Sequence, residues 1–126
     1  MPLVTVTALG PKSRAFKSAV FDSVHAALVE VGVPQADLFQ RFIALGEDDF
    51  RFDPRYPDVS GARTQDFALV EVLWSVGRSV KVKKQFFAKL SEQLRSRGQD
   101  PENLMLVFKE TNWENWSFAG GRQIHT

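Results

Sequence analysis

Pro2 stands directly behind the initiator methionine and ahead of an alternating apolar stretch, Leu3-Val4-Thr5-Val6-Thr7. Once Met1 is removed, its nitrogen is a secondary amine at the end of a strand. Such a group has the chemistry of a general base, a general acid or a nucleophile. The ordinary alternative is structural, because the first residue of a strand is one of the few sheet positions that accepts proline. Arg78 follows Gly77 and precedes a helical stretch. Helix N-termini favour anions, and a guanidinium holds a carboxylate through two parallel hydrogen bonds; a solvated loop arginine is the competing reading. Asp37 lies between Pro34 and an apolar run. It could orient water or take a proton, or serve only the turn, where Asp is favoured. Trp116 and Phe118 are two positions apart, which puts both rings on one side of an extended tail. They suit either a pocket wall or core packing.

His25 and His125 are isolated and show no metal-ligand spacing. Gly120-Gly121 is too short for a phosphate loop. Neither a metal nor another cofactor is expected.

The elements that must position these groups read the same way twice. A strand over Leu3 to Leu9, a Gly10-Pro11 break, a helix from about Ser13 to Val31 and a strand over about Leu38 to Leu45 make the first unit. Phe16, Ala19, Val20, Val24, Ala27, Leu28 and Val31 fall on one helix face, and Gly32 and Pro34 end that helix. The second unit has a strand over Phe67 to Trp74, Gly77, a helix from about Ser79 to Arg97, then Gly98, Pro101 and a strand over Leu104 to Glu110. Val82, Phe86, Leu90 and Leu94 form its apolar stripe. Gly10 and Gly77 are 67 positions apart, Gly32 and Gly98 are 66, and Pro34 and Pro101 are 67. Matching breakers of this kind predict a duplicated β-α-β unit.

Each unit's strands should be parallel with a right-handed crossover. The expected fold is α/β (α+β): one domain over 1–126, with a four-stranded mixed sheet and two helices on one face. Repeat one covers about 2–45 and repeat two about 66–110, joined by a loop over 46–65 and followed by a tail over 111–126. A loop this long predicts a functional segment or an inter-subunit arm. Two helices cover one sheet face, so the bare apolar face predicts a homo-oligomer.

Composition narrows the function classes. The 126 residues are 44% hydrophobic and 25% charged, as in an ordinary globular protein. Eleven Phe against one Tyr favours a dry core or a dry pocket. A formal net charge of +1 gives no electrostatic case for nucleic acid or membrane surfaces. Lys81, Lys83, Lys84, Lys89, Arg95 and Arg97 read as the solvated side of the second helix. The absence of Cys excludes disulfides, thiolate ligands and cysteine nucleophiles. No secretion signal and no membrane-length apolar run is present, so the expected location is cytoplasmic.

Together, Pro2 behind Met1, the repeated unit, Gly77-Arg78-Ser79, Lys84-Gln85-Phe86-Phe87 and the tail Glu114-Asn115-Trp116-Ser117-Phe118 resemble the tautomerase superfamily. The similarity is greatest to its malonate semialdehyde decarboxylase-like branch and runs over almost the whole chain. It implies a homotrimer of two-unit protomers in which the N-terminal proline is catalytic. Carried over by position, Pro2 matches that proline and Asp37 the carboxylate used beside it. Arg78 matches the carboxylate-binding arginine region, and Trp116 and Phe118 match the apolar wall.

The decarboxylase pattern has two arginines separated by one residue, where this chain has Gly77 and Ser79 with Arg78 between them. Leu38 also follows Asp37 where many relatives have Arg. The resemblance therefore implies a tautomerase acting on enol or 2-oxo acids, that is, on a small carboxylate-bearing substrate. Decarboxylation or hydration of a small 3-oxo acid such as malonate semialdehyde is the alternative. A non-catalytic ferredoxin-like module binding RNA or a ligand is the alternative from another class. RNA readers of that kind carry stacking aromatics on a central strand, and here only Trp74 is available.

Overall fold

Ser13 and Ser79 open the two helices in the same way. The Ser13 hydroxyl accepts from the Phe16 amide at 3.0 Å and the Ser79 hydroxyl from the Val82 amide at 3.2 Å. Each cap satisfies one donor that the first helical turn leaves unpaired. The computed structural model describes residues 2–124, so His125 lies outside the described residues. Its elements run β1 (Leu3–Leu9), α1 (Arg14–Glu30), β2 (Gln40–Leu45), β3 (Ala68–Ser75), α2 (Val80–Ser96) and β4 (Leu104–Thr111). Short 3-10 turns cover Pro101–Asn103 and Trp113–Asn115. Both helices have 17 residues, and α2 starts and ends 66 positions after α1.

The sheet order is β2-β1-β3-β4. β1 and β2 are parallel, β3 and β4 are parallel, and β1 and β3 meet antiparallel at the centre. Val4 faces Gln40 and Ala68 faces Leu104, a separation of 36 residues in both units. Equal registers of this kind are the three-dimensional form of the duplication, with α1 and α2 as the parallel crossovers.

Alternation then sorts the side chains. Val4, Val6, Val70, Val72 and Trp74 turn under the helices and are buried with Val20, Val24 and Leu28 of α1 and Phe86, Leu90 and Leu94 of α2. Burying each such side chain stabilises the fold by roughly 1.5–3 kcal/mol relative to exposure. The Trp74 and Phe108 rings stack in parallel, 4.2 Å between centroids, with Phe86 edge-on to Phe108 at 5.0 Å.

Two expectations change in detail. β2 begins at Gln40 rather than Leu38, because Asp37 N donates to Pro34 O and Leu38 N to Ala36 O, holding this stretch in turns. Leu38 and Phe39 are exposed as a result. The sheet face away from the helices is mixed rather than apolar. Leu3, Ile43, Met105 and Val107 stand there beside Thr5, Arg41 and the Glu71–Lys109 ion pair, 2.6 Å apart. The 46–65 loop sits at the end of the sheet opposite Pro2. It is tied to the start of β4 by Ser60 N–Glu102 Oε1 at 2.6 Å and Thr64 N–Asn103 Oδ1 at 2.8 Å. Within one protomer it does not border the Pro2 end.

Candidate active site

Parallel pairing of β1 with β2 and antiparallel pairing with β3 bring four chain segments to one end of the sheet. These are the start of β1, the turn before β2, the end of β3 and the segment after β4. A cavity of about 500 Å³ opens there, lined by Pro2, Leu3, Asp37, Phe39, Leu73, Thr111, Asn115, Trp116, Ser117 and Phe118. Its wall is mainly apolar, with a few polar groups converging on it, as ligand sites usually are.

Pro2 is fully buried. The Val4 amide, two residues on, donates to Phe39 O at 2.9 Å, so the first turn of β1 is pinned to the segment carrying Asp37. Asp37 is half-buried in the turn after Pro34. Trp116 and Phe118 stack at 5.6 Å with 17° between ring planes, the same-side arrangement that a spacing of two gives extended backbone. The tail that carries them starts with the Trp113–Asn115 turn, which the sequence did not announce. Asn115 Nδ2 donates to Thr111 Oγ1 at 2.6 Å and Gln123 Nε2 to Glu114 O at 2.7 Å, holding this turn against the end of β4.

Arg78 does not line this cavity. Gly77, at φ +122°, turns the chain between β3 and α2 through a conformation that glycine adopts without strain. Arg78 then folds back. Its guanidinium lies 4.2 Å from the Trp74 ring centroid and donates to Ser75 O at 2.7 Å. Burial pushes the guanidinium pKa below its ordinary value, while the negative charges of Glu110 and Asp37 oppose that shift. Glu110 also pairs with Lys83 of α2 at 3.1 Å. Arg78 is thus linked to the cavity through the field it shares with Asp37.

Sequence reasoning missed Leu3, Phe39, Leu73, Thr111, Asn115 and Ser117 as lining residues. Leu3 and Leu73 are cross-strand partners on the face away from the helices. Phe39 is 54% accessible, although its apolar run read as strand core.

Trp74 is completely buried beneath α2. The open face of the four strands carries no aromatic ring among the described residues. The stacking platform that an RNA-reading sheet uses is absent from that face. Among the described residues, no three His, Asp or Glu side chains gather as metal ligands, and no helix is long and apolar enough to cross a membrane.

The family model described as "Tautomerase enzyme" matches residues 37–119. Probable tautomerase YusQ of Bacillus subtilis (strain 168) is 24% identical over 124 residues, covering 97% of this chain and 96% of that protein. The crystal structure of FG41 malonate semialdehyde decarboxylase inhibited by 3-bromopropiolate is similar at a TM-score of 0.85 and 27% identity, over 96% of this chain and 92% of that one. A fused 4-OT wild-type symmetric trimer shares the fold at a TM-score of 0.72 and 22% identity, over 96% and 94% of the two chains.

Proposed function

The chain belongs to the tautomerase family, and from that premise we propose that it is a keto–enol tautomerase of enol and 2-oxo acids in which Pro2, freed by removal of the initiator methionine, moves the proton. The observation that carries this reading is the cavity in which Pro2 and Asp37 share one apolar, aromatic-walled space.

In its neutral form the freed Pro2 nitrogen is a secondary amine able to act as base at the apolar cavity wall. That nitrogen takes the enol hydroxyl proton. The O–H bond breaks, the C=O bond forms, and the carbon that loses its double bond receives a proton from the prolinium. Pro2 ends as it began. Asp37 orients the enol hydroxyl or a water. Arg78, outside the cavity lining, contributes positive charge beside Asp37 that favours an anionic substrate. Trp116 and Phe118 exclude bulk water, which strengthens the electrostatic terms at the reacting atoms.

A second reading uses the same groups to decarboxylate or hydrate a small 3-oxo acid. It is favoured by the likeness to the malonate semialdehyde decarboxylase structure. The single charge of Arg78, with Gly77 and Ser79 on either side, supports tautomerisation in preference. A homotrimer belongs to the proposal as well. The trimeric neighbour with the same fold and the uncovered sheet face both support it.

The test compares the protein carrying an authentic N-terminal proline, verified by mass, with a form retaining one residue ahead of it and with Pro2→Ala. Ketonisation of phenylenolpyruvate should fall at least about 100-fold in both altered forms. Unchanged turnover in both would overturn the proline mechanism. Turnover of malonate semialdehyde but not of phenylenolpyruvate would move the assignment to the second reading.

A further inference from the structure

His25 is a buried histidine on the core side of α1, flanked by Val24 and the apolar cluster around Leu28. A polar ring in that position needs a hydrogen-bond partner. It finds one outside its own helix: His25 Nε2 and Gln35 O are 2.9 Å apart. A carbonyl only accepts, so Nε2 carries the proton and donates. Gln35 is two residues before Asp37, in the turn where Asp37 N donates to Pro34 O.

A second clip closes the other end of this segment. Gln40 Nε2 donates to Phe21 O, also on α1, at 2.8 Å. Between these two clips the chain is held by the turn bonds Asp37 N–Pro34 O and Leu38 N–Ala36 O and, towards β1, by Val4 N–Phe39 O, while Gln35, Ala36, Leu38 and Phe39 are exposed. Asp37 is the half-buried member that lines the cavity.

We propose that His25 is a positioning residue: by anchoring the Gln35 carbonyl to α1 it sets where the Asp37 carboxylate stands against Pro2. The inference rests on the proline tautomerase reading for its catalytic consequence, but not for its geometry. Loss of the clip frees the turn, and a displacement of about 1 Å at a group near the reacting atoms can lower turnover on the order of 100-fold. His25 does not touch the substrate. It acts through Asp37, and its contribution disappears when Asp37 no longer functions.

A double-mutant cycle tests this, with His25→Leu, His25→Gln, Asp37→Asn and the His25→Leu/Asp37→Asn pair, assayed on phenylenolpyruvate. His25→Leu should lower kcat at least about tenfold with a smaller change in KM. His25→Gln, whose amide can donate to the same carbonyl, should recover most of it. In the Asp37→Asn background, His25→Leu should add little further loss, because the two residues act as one unit. An equal fold-loss in both backgrounds would overturn the proposal and make His25 a stability residue.

A readout independent of turnover separates this failure from that of the functional reading. The Asp37 carboxyl 13C chemical shift, read by NMR at neutral pH, should move in His25→Leu and return in His25→Gln. An identical Asp37 carboxyl chemical shift in wild type and His25→Leu would sink the positioning role, whatever Pro2→Ala does.

Discussion

The Arg78 guanidinium lies over the Trp74 ring, 4.2 Å from its centroid, while Trp74 itself is fully buried. The relationship joins a candidate substrate-binding cation to the hydrophobic core. The ring contact holds the guanidinium against the core, and the bond to Ser75 O at 2.7 Å adds a second tether. The charge is therefore pre-positioned, and little ordering remains when an anion arrives.

Arg78→Ala should weaken kcat/KM for an enol acid on the order of tenfold, through loss of a positive charge that acts over a short distance rather than by contact. The same variant should leave the corresponding neutral ester nearly unaffected. Arg78→Lys should not restore the acid substrate, because an ammonium lacks the planar fork and the stacking surface. Parallel kinetics on acid and ester check this; equal losses on both would remove the carboxylate-binding role.

Asp37→Asn separates the two enzyme readings. If tautomerisation dominates, with Pro2 moving the proton, the amide should retain measurable ketonisation, reduced by about 10- to 100-fold through poorer orientation. If decarboxylation or hydration of a 3-oxo acid is the main activity, the carboxylate is essential and the loss should approach background. Side-by-side assays of both substrates on this variant decide between them.

Gly10 closes β1 against β2, and its amide donates to Leu45 O at 2.9 Å. A Cβ added at Gly10 would stand 2.8 Å from the Ala44 Cβ, closer than two carbon atoms tolerate. Gly10→Ala should destabilise the fold by about 1–3 kcal/mol, the usual range for overpacking. Adding Ala44→Gly should recover much of that. Urea denaturation of the single and double variants measures the compensation, and a single variant as stable as wild type would contradict it.

Asp53 organises the 46–65 loop by accepting from the Arg55 and Tyr56 amides, each at 2.8 Å. Those two bonds hold its pKa below the ordinary 3.8, with a further push from the Arg63 and Arg55 charges. The folded value lies below the unfolded one, so the contribution is complete above the unfolded pKa and is lost as pH falls through the folded value. Protection factors of the loop amides, taken relative to intrinsic exchange at each pH, should therefore fall below about pH 3.8. In Asp53→Asn the exchange should already be faster at neutral pH and lose this acid step. An unchanged acid step in that variant would assign it to another group.

Much of the fold was legible because its signals are local. Ser13 and Ser79 cap the helices, Gly32 and Gly98 end them, and the stripes of α1 and α2 repeat at helical spacing. The start of β2 was misread because Leu38 and Phe39 are apolar like a strand core, yet the turn at Asp37 leaves both exposed, with Phe39 at the cavity wall. The Trp113–Asn115 turn gave no breaker signal, since its cap residue, Asn112, makes no side-chain cap bond. The loop over 46–65 was legible as a loop, but its distance from Pro2 was not.

The sequence by itself determined the duplicated β-α-β units and the family resemblance, because caps, breakers and hydrophobic period act over a few residues at a time. Only the tertiary structure decided which chemical groups meet. Pro2, Asp37, Trp116 and Phe118 come from separate segments and share a cavity through the strand registers, above all the antiparallel junction of β1 with β3. The same registers kept Arg78 off that cavity wall and gave it Trp74 instead. Non-local pairings of this kind leave no mark in any short window of sequence.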